Sequence, residues 1–165
     1  VTPEAPTREA AFGGADKGER FTYGAAERVA IYERLNAVGS STAVDYVMLG
    51  CPHYSADQIA EAAALLEGRR VHENCALWIF TSRAVKATAK ASGLIETIER
   101  AGAKLMTDTC SAISQAVPPG TRVAAFDSAK QTHYLPAIMG IEGWYGTTAE
   151  CIDAACTGRW EGRLA

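Results

Sequence analysis

No apolar run in this chain approaches the roughly 20 residues that a membrane-spanning helix needs. A transmembrane role is therefore not expected. No basic stretch leading into an apolar core opens the sequence, so no secretory signal is visible. A cytoplasmic location is the expectation. Surplus positive charge is also lacking: the formal net charge is −3. Nothing in that balance points to nucleic acid or to an anionic membrane surface. Compact C-x-x-C pairs are missing from the five cysteines, Cys51, Cys75, Cys110, Cys151 and Cys156. Their odd number and wide spacing argue against a disulfide framework and for metal binding or catalysis. There is no internal repeat and no low-complexity segment. An initiator Met is absent too. The opening Val1-Thr2-Pro3-Glu4-Ala5-Pro6-Thr7 reads like the middle of something, and a fragment of a longer protein is expected.

The 165 residues suit one domain with a real core. Four stretches share one form, apolar and then abruptly polar. They are Val47-Met48-Leu49-Gly50-Cys51-Pro52-His53-Tyr54-Ser55, Trp78-Ile79-Phe80-Thr81-Ser82-Arg83, Leu105-Met106-Thr107-Asp108-Thr109-Cys110 and Val123-Ala124-Ala125-Phe126-Asp127-Ser128-Ala129-Lys130. This is how buried strands deliver reactive side chains. In open α/β sheets, ligands sit outside the carboxyl ends of the strands. One site at one sheet edge is the expectation.

Residues 1 to about 24 carry Gly, Pro and charge, with turn signals at Gly13-Gly14 and Lys17-Gly18, and one helical turn is expected after Thr7. Ala25 to Val38 reads as a helix in which Val29, Ala30, Leu35 and Val38 share a face, closed by Gly39. Val44 to Leu49 is the first strand. Ser55 and Gln58 form a capping box, and Ile59, Ala62, Ala63 and Leu66 give the following helix an apolar face ending near Gly68. Ala76 to Phe80, Lys104 to Thr107 and Val123 to Phe126 are further strands. A helix over about 83–100 is interrupted at Ser92-Gly93, with Ile95 and Ile98 on its buried stripe. Pro118-Pro119-Gly120 is a hard turn. Thr147 and Glu150 form a second capping box opening the last helix, with Cys151 in its first turn. The alternation predicts a three-layer α/β domain: a mainly parallel sheet with helices on both faces. Residues 1–40 read as a loop and helix of the same domain, or as the completion of a preceding one; 41–165 read as the α/β domain.

Chemistry concentrates at the strand ends. Cys51 and Cys110 end strands, and Cys151 opens a helix whose partial positive charge would favour a thiolate. Thiolates suit zinc or an iron–sulfur cluster. Cys75 and Cys156 read as small buried hydrophobes. By spacing alone, scattered core cysteines are the plainer reading of all five. His53 is a candidate ligand, acid/base or substrate contact, or a hydrogen-bonded structural histidine. His72 reads as a surface residue. Ser128, Lys130 and His133 follow a strand end where a helix N-terminus can bind carboxylate or phosphate. The alternative there is a capped helix with an exposed lysine. Ser82 with Arg83 is a weaker anion candidate, and Asp108 a group that holds its neighbours.

Taken in order, Thr2-Pro3-Glu4-Ala5-Pro6-Thr7, Leu49-Gly50-Cys51-Pro52-His53, Thr81-Ser82, Asp108-Thr109-Cys110, Ser128-Ala129-Lys130 with His133-Tyr134, and Cys151 resemble the catalytic large region of aconitase X, a branch of the aconitase superfamily. The resemblance runs along most of the chain. It implies an aconitase-like fold and a hydro-lyase acting on a small hydroxy acid. It implies an iron–sulfur cluster, 2Fe–2S or 4Fe–4S, held by Cys51, Cys110 and Cys151. It places His53, Ser82, Ser128, Lys130 and His133 near the substrate. Bacterial members resemble cis-3-hydroxy-L-proline dehydratase and archaeal ones mevalonate 5-phosphate dehydratase; the first is preferred here. The family's longer large region and its small swivelling domain or subunit, expected to supply a serine base, have no counterpart in this sequence. The resemblance therefore implies a chain that is catalytically incomplete alone. Two other classes stand beside it: a non-catalytic α/β binding domain with core cysteines, and a zinc site on Cys51, Cys110 and Cys151.

Overall fold

The computed structural model describes residues 4–13, 18–37 and 39–162. Val1, Thr2, Pro3, Gly14, Lys17 and Val38, which entered the sequence reading, lie outside them. Two helices come first, α1 (Arg8–Phe12) and α2 (Ala25–Asn36). The expected turn of helix after Thr7 is α1, with the Thr7 hydroxyl accepting from the Ala10 amide.

The sheet holds five parallel strands in the order β3-β2-β1-β4-β5. They are β1 (Tyr46–Tyr54), β2 (Ala76–Thr81), β3 (Lys104–Thr107), β4 (Val123–Phe126) and β5 (Glu142–Tyr145). Between and after them run α3 (Ala56–Leu66), α4 (Arg83–Ala91), α5 (Leu94–Arg100), α6 (Ser111–Ser114), α7 (Ala129–Met139) and α8 (Thr148–Thr157). The all-parallel sheet explains the nearly continuous apolar strands, which are buried on both faces. Successive residues alternate between two cores. Val47, Leu49, Leu77, Ile79 and Ala125 meet Ile59, Ala62 and Leu66 of α3, Ile98 of α5 and Ile152 of α8. Tyr46, Met48, Phe80, Ala124 and Phe126 meet Leu135 of α7 on the other face. The three-layer expectation holds.

The four strands read from the sequence are all present, as is the break after Ala91. β5 and α6 were not read. The face assigned to α2 is not there: α2 has no buried residue, and Val29 and Ala30 are exposed. The helix is held by its end instead. Asn36 donates from Nδ2 to the Tyr145 carbonyl (3.0 Å) and accepts from the Tyr145 amide (2.8 Å). It thereby occupies the open edge of β5, which would otherwise present unpaired backbone groups. Ser40 adds bonds to the Glu142 carboxylate from its amide and hydroxyl.

The strand order reverses direction between β1 and β4. Such a switch point opens a crevice at the carboxyl ends of the two strands. Cys51, Asp127 and Ser128 stand there.

Candidate functional site

β1 runs further than the sequence suggested, and it does so by bulging. Leu49 pairs with Ile79 and Tyr54 with Thr81, so Gly50 to His53 face a single residue of β2. A bulge of this kind bends a strand and re-aims its side chains. Gly50 makes it possible. Its φ is +95°, and a Cβ there would lie 2.2 Å from the Phe80 carbonyl oxygen. Only glycine lets the backbones approach this closely. The Thr81 hydroxyl then donates to the Tyr54 carbonyl at 2.6 Å and fixes the far side of the bulge. Cys51, half-buried, is carried out past the sheet edge; its bond to Pro52 is cis.

Cys110 arrives from β3. Asp108 adopts a left-handed turn (φ 57°) and donates its amide to the Thr81 carbonyl. Cys110 then takes the N-cap position of α6, and Ser111 beside it is tied to Tyr46 of β1 by a buried 2.7 Å hydrogen bond. Cys51 packs against the core cluster that contains Cys110. The two segments are pinned directly: His53 donates from Nε2 to the Thr109 carbonyl at 2.8 Å. A carbonyl only accepts, so Nε2 carries the proton and Nδ1 is the nitrogen left to other partners.

Cys151 reaches the same edge from the opposite core. It is fully buried in the first turn of α8, whose capping box is present as expected. The sequence reading that the helix start favours a thiolate is corrected here. Burial, with the nearby Asp127 and Glu150 charges, pushes the thiol well up, and this outweighs the helix. Among the described residues no three His, Cys, Asp or Glu side chains stand close enough to share one metal ion. The single-ion zinc site on Cys51, Cys110 and Cys151 is thus not assembled. Cysteines of an iron–sulfur cluster bind different irons and need not meet, so the soft donor set still fits such a group. Cys75 and Cys156 behave as core residues. Both pack against the buried cluster, and burial raises their thiols, Cys75 to about 12.

Ser128 caps α7, its hydroxyl accepting from the Gln131 amide at 3.4 Å. Lys130 and His133 are exposed on α7, three positions apart and so on one face. Ser82 caps α4 by accepting from the Val85 amide. Arg83 is taken up by Asp108, which accepts from its backbone amide (3.1 Å), Nε (2.8 Å) and Nη2 (2.7 Å). Those bonds, led by the backbone amide, hold the Asp108 carboxyl below its usual range. The holding role read for Asp108 is what it does. Cys51, His53 and Cys110 thus come together, with Ser128 beyond them through Gln131. Ser82 stands at the neighbouring strand end.

Two groups went unread. The Tyr54 hydroxyl donates to Asp127 Oδ2 and lies 3.0 Å from Thr148 Oγ1. This network joins β1, β4 and α8 directly beside Cys151. Among the described residues Asp127 Oδ1 is buried without a hydrogen-bond partner. The other is Gln131, 3% exposed, whose Nε2 lies 4.0 Å from Cys110 Sγ. An acidic residue placed just after an apolar strand was the available signal for Asp127. For Gln131 there was none.

Comparison with known proteins falls on this region. The family model for the aconitase X third domain matches residues 44–157. A cis-3-hydroxy-L-proline dehydratase of Pseudomonas aeruginosa is 41% identical over 96% of this chain, and one of Hypocrea jecorina 33% identical over 99%. A phosphomevalonate dehydratase large subunit of Methanocaldococcus jannaschii is 34% identical over 83%. The chain spans 28%, 28% and 33% of the length of these relatives. The holo-form of Thermococcus kodakaraensis aconitase X superposes with a TM-score of 0.71 at 30% identity, covering 85% of this chain and 35% of that one.

Proposed function

We propose, because the chain belongs to the aconitase X family, that it is the cluster-bearing domain of a hydro-lyase that removes water from a small hydroxy acid. The observation that carries this reading is the pinning of the Cys51 and Cys110 segments to each other by His53 at the switch point. The preferred substrate is cis-3-hydroxy-L-proline, converted to a pyrroline carboxylate. Support comes from the two relatives of that name, which align with nearly the whole chain. Mevalonate 5-phosphate is the second reading, supported by the large-subunit relatives and by the serine and lysine at the start of α7.

Cys51, Cys110 and Cys151 would hold the cluster, of 2Fe–2S or 4Fe–4S type. When bound, an iron–sulfur cluster with one open iron position supplies Lewis-acid assistance to the loss of hydroxide. The residues of this chain do the rest of the binding. The α7 N-terminus, Ser128 and Lys130 offer a partial positive end, a hydroxyl and a point charge for an anionic group of the substrate. His133 shares the exposed face of Lys130, and Ser82 flanks the crevice. His53 donates its Nε2–H to the Thr109 carbonyl, which leaves Nδ1 for other partners. The base that takes the proton from the adjacent carbon comes from outside this chain, on a small swivelling domain or subunit. The remainder of the large region completes the enzyme, which works in the cytoplasm.

The test uses the complete enzyme purified without oxygen. Matched iron and acid-labile sulfide are expected in wild type and in Cys75→Ser, with loss of both in Cys110→Ser. Dehydration of cis-3-hydroxy-L-proline and of mevalonate 5-phosphate is then compared. A Cys110→Ser enzyme with full iron would sink the ligand assignment, and turnover of neither substrate would sink the substrate class.

A further inference from the structure

Gln131 sits in the first turn of α7 with its side chain sealed from solvent. Among the described residues its Oε1 has no hydrogen-bond partner, so the residue is not there to satisfy itself. A buried amide oxygen left unpaired costs free energy, which an apolar side chain of the same length would avoid. Its Nε2 points at Cys110 Sγ from 4.0 Å. Sulfur is a weak acceptor as a thiol and a strong one as a thiolate. An amide facing a thiol can offer its oxygen to the S–H. A metal-bound cysteine sulfur has no proton to give, so the useful end of the amide is its N–H, and that is the end presented here. Side-chain hydrogen bonds on both sides hold the pair in place: the Ser128 hydroxyl fixes the start of α7, and the Ser111 hydroxyl is locked to that of Tyr46.

We propose that Gln131 is a positioning residue that donates a hydrogen bond from Nε2 to the Cys110 sulfur, orienting that ligand and setting the reduction potential of the cluster it holds. The proposal rests on reading Cys110 as a cluster ligand. Hydrogen bonds to coordinating sulfur withdraw electron density from it and stabilise the reduced cluster, which carries one more negative charge. Losing the donor therefore lowers the potential.

The experiment is a redox titration of the complete holoenzyme, followed by absorption and circular dichroism, with iron and sulfide counted on the same samples. Gln131→Met keeps the length and apolar volume without a donor. At the wild-type midpoint its reduced-to-oxidised ratio should fall by roughly threefold to tenfold, the range expected for the net contribution of one hydrogen bond. Gln131→Glu, of the same shape, sets a carboxylate against the sulfur. It should lower the ratio further or shed iron, and it carries the test if the methionine variant fails to fold. Wild-type potentials and visible dichroism in both variants, at full iron content, would overturn the proposal while leaving the cluster standing. Full iron in Cys110→Ser, or no iron in wild type after reconstitution, would overturn the ligand reading and the proposal with it.

Discussion

At the Asp127 carboxyl, burial and hydrogen bonding pull in opposite directions. Removal from water raises it, while the Tyr54 hydroxyl, the nearby Gly50 amide and Thr148 favour the charged form; burial prevails. A carboxyl raised in the fold keeps its proton at pH values where the unfolded chain has already released it. Stability therefore falls as pH climbs from the ordinary carboxylate range through the folded titration, and it stays lower above that. Asp127→Asn preserves an acceptor for Tyr54 and removes the titration. Relative to wild type, the variant should gain stability as pH rises across that window. Urea unfolding between about pH 4 and pH 8 reads the difference; a constant gap between the two proteins would show that Asp127 does not titrate as argued. Gly50 bears the other residue-scale consequence. Gly50→Ala must relieve a 2.2 Å approach to backbone and a φ of +95°. A loss of about 3 kcal/mol is expected, with the Cys51 bulge displaced, and a midpoint close to wild type would mean that the strand yields easily.

α8 shows best how an element serves the site. Its capping box closes Thr147 and Glu150 on each other's backbone amides, directly before Cys151. Thr147→Ala should cost about 1 kcal/mol and fray the first turn, so that Cys151, sealed in wild type, reacts faster with a thiol reagent in the metal-free chain. Unchanged protection would place the seal in the Tyr54–Asp127–Thr148 network instead. The same caps made α3 and α8 legible from sequence, because a capping box is a local signal needing only four residues. The central strands were legible because both their faces are buried and their apolar runs are unbroken. β5 was not: Glu142-Gly143-Trp144-Tyr145 has neither alternation nor a branched run, and it is a strand only because β4 lies beside it. α6 is too short to have a period. The bulge in β1 depends on Phe80 across the sheet, so Tyr54 could not be placed beside Asp127 from its own neighbours. Cys151 was placed correctly at a helix start but misjudged in charge, since depth of burial is a property of the assembled layers.

Over the whole molecule, order is graded from the sheet outward. β1 lies at the centre with β2 and β4 on either side and a core on each face. α1 and α2 contribute no buried residue to either core. Large apolar side chains near α2 lie open, with Phe21 86% and Tyr23 69% exposed. α2 is secured at its end, by the Asn36 bonds to Tyr145 and by Tyr32 against the Tyr145 ring. Amides in poorly packed elements open with little free energy, whereas those in a central strand open only when the core does. Hydrogen exchange of the 165-residue chain should therefore release α1 first, then α2 from its first turn toward Asn36. Tyr46 to Leu49 should come last, close to the rate of global unfolding. Joined to the remainder of the proposed enzyme, the chain should slow in exchange across α2 with β1 unchanged, because the exposed Phe21 and Tyr23 then have something to pack against. Protection of α2 equal to that of β1 in the isolated chain would overturn this gradient and make the helix an integral part of the sheet's own core.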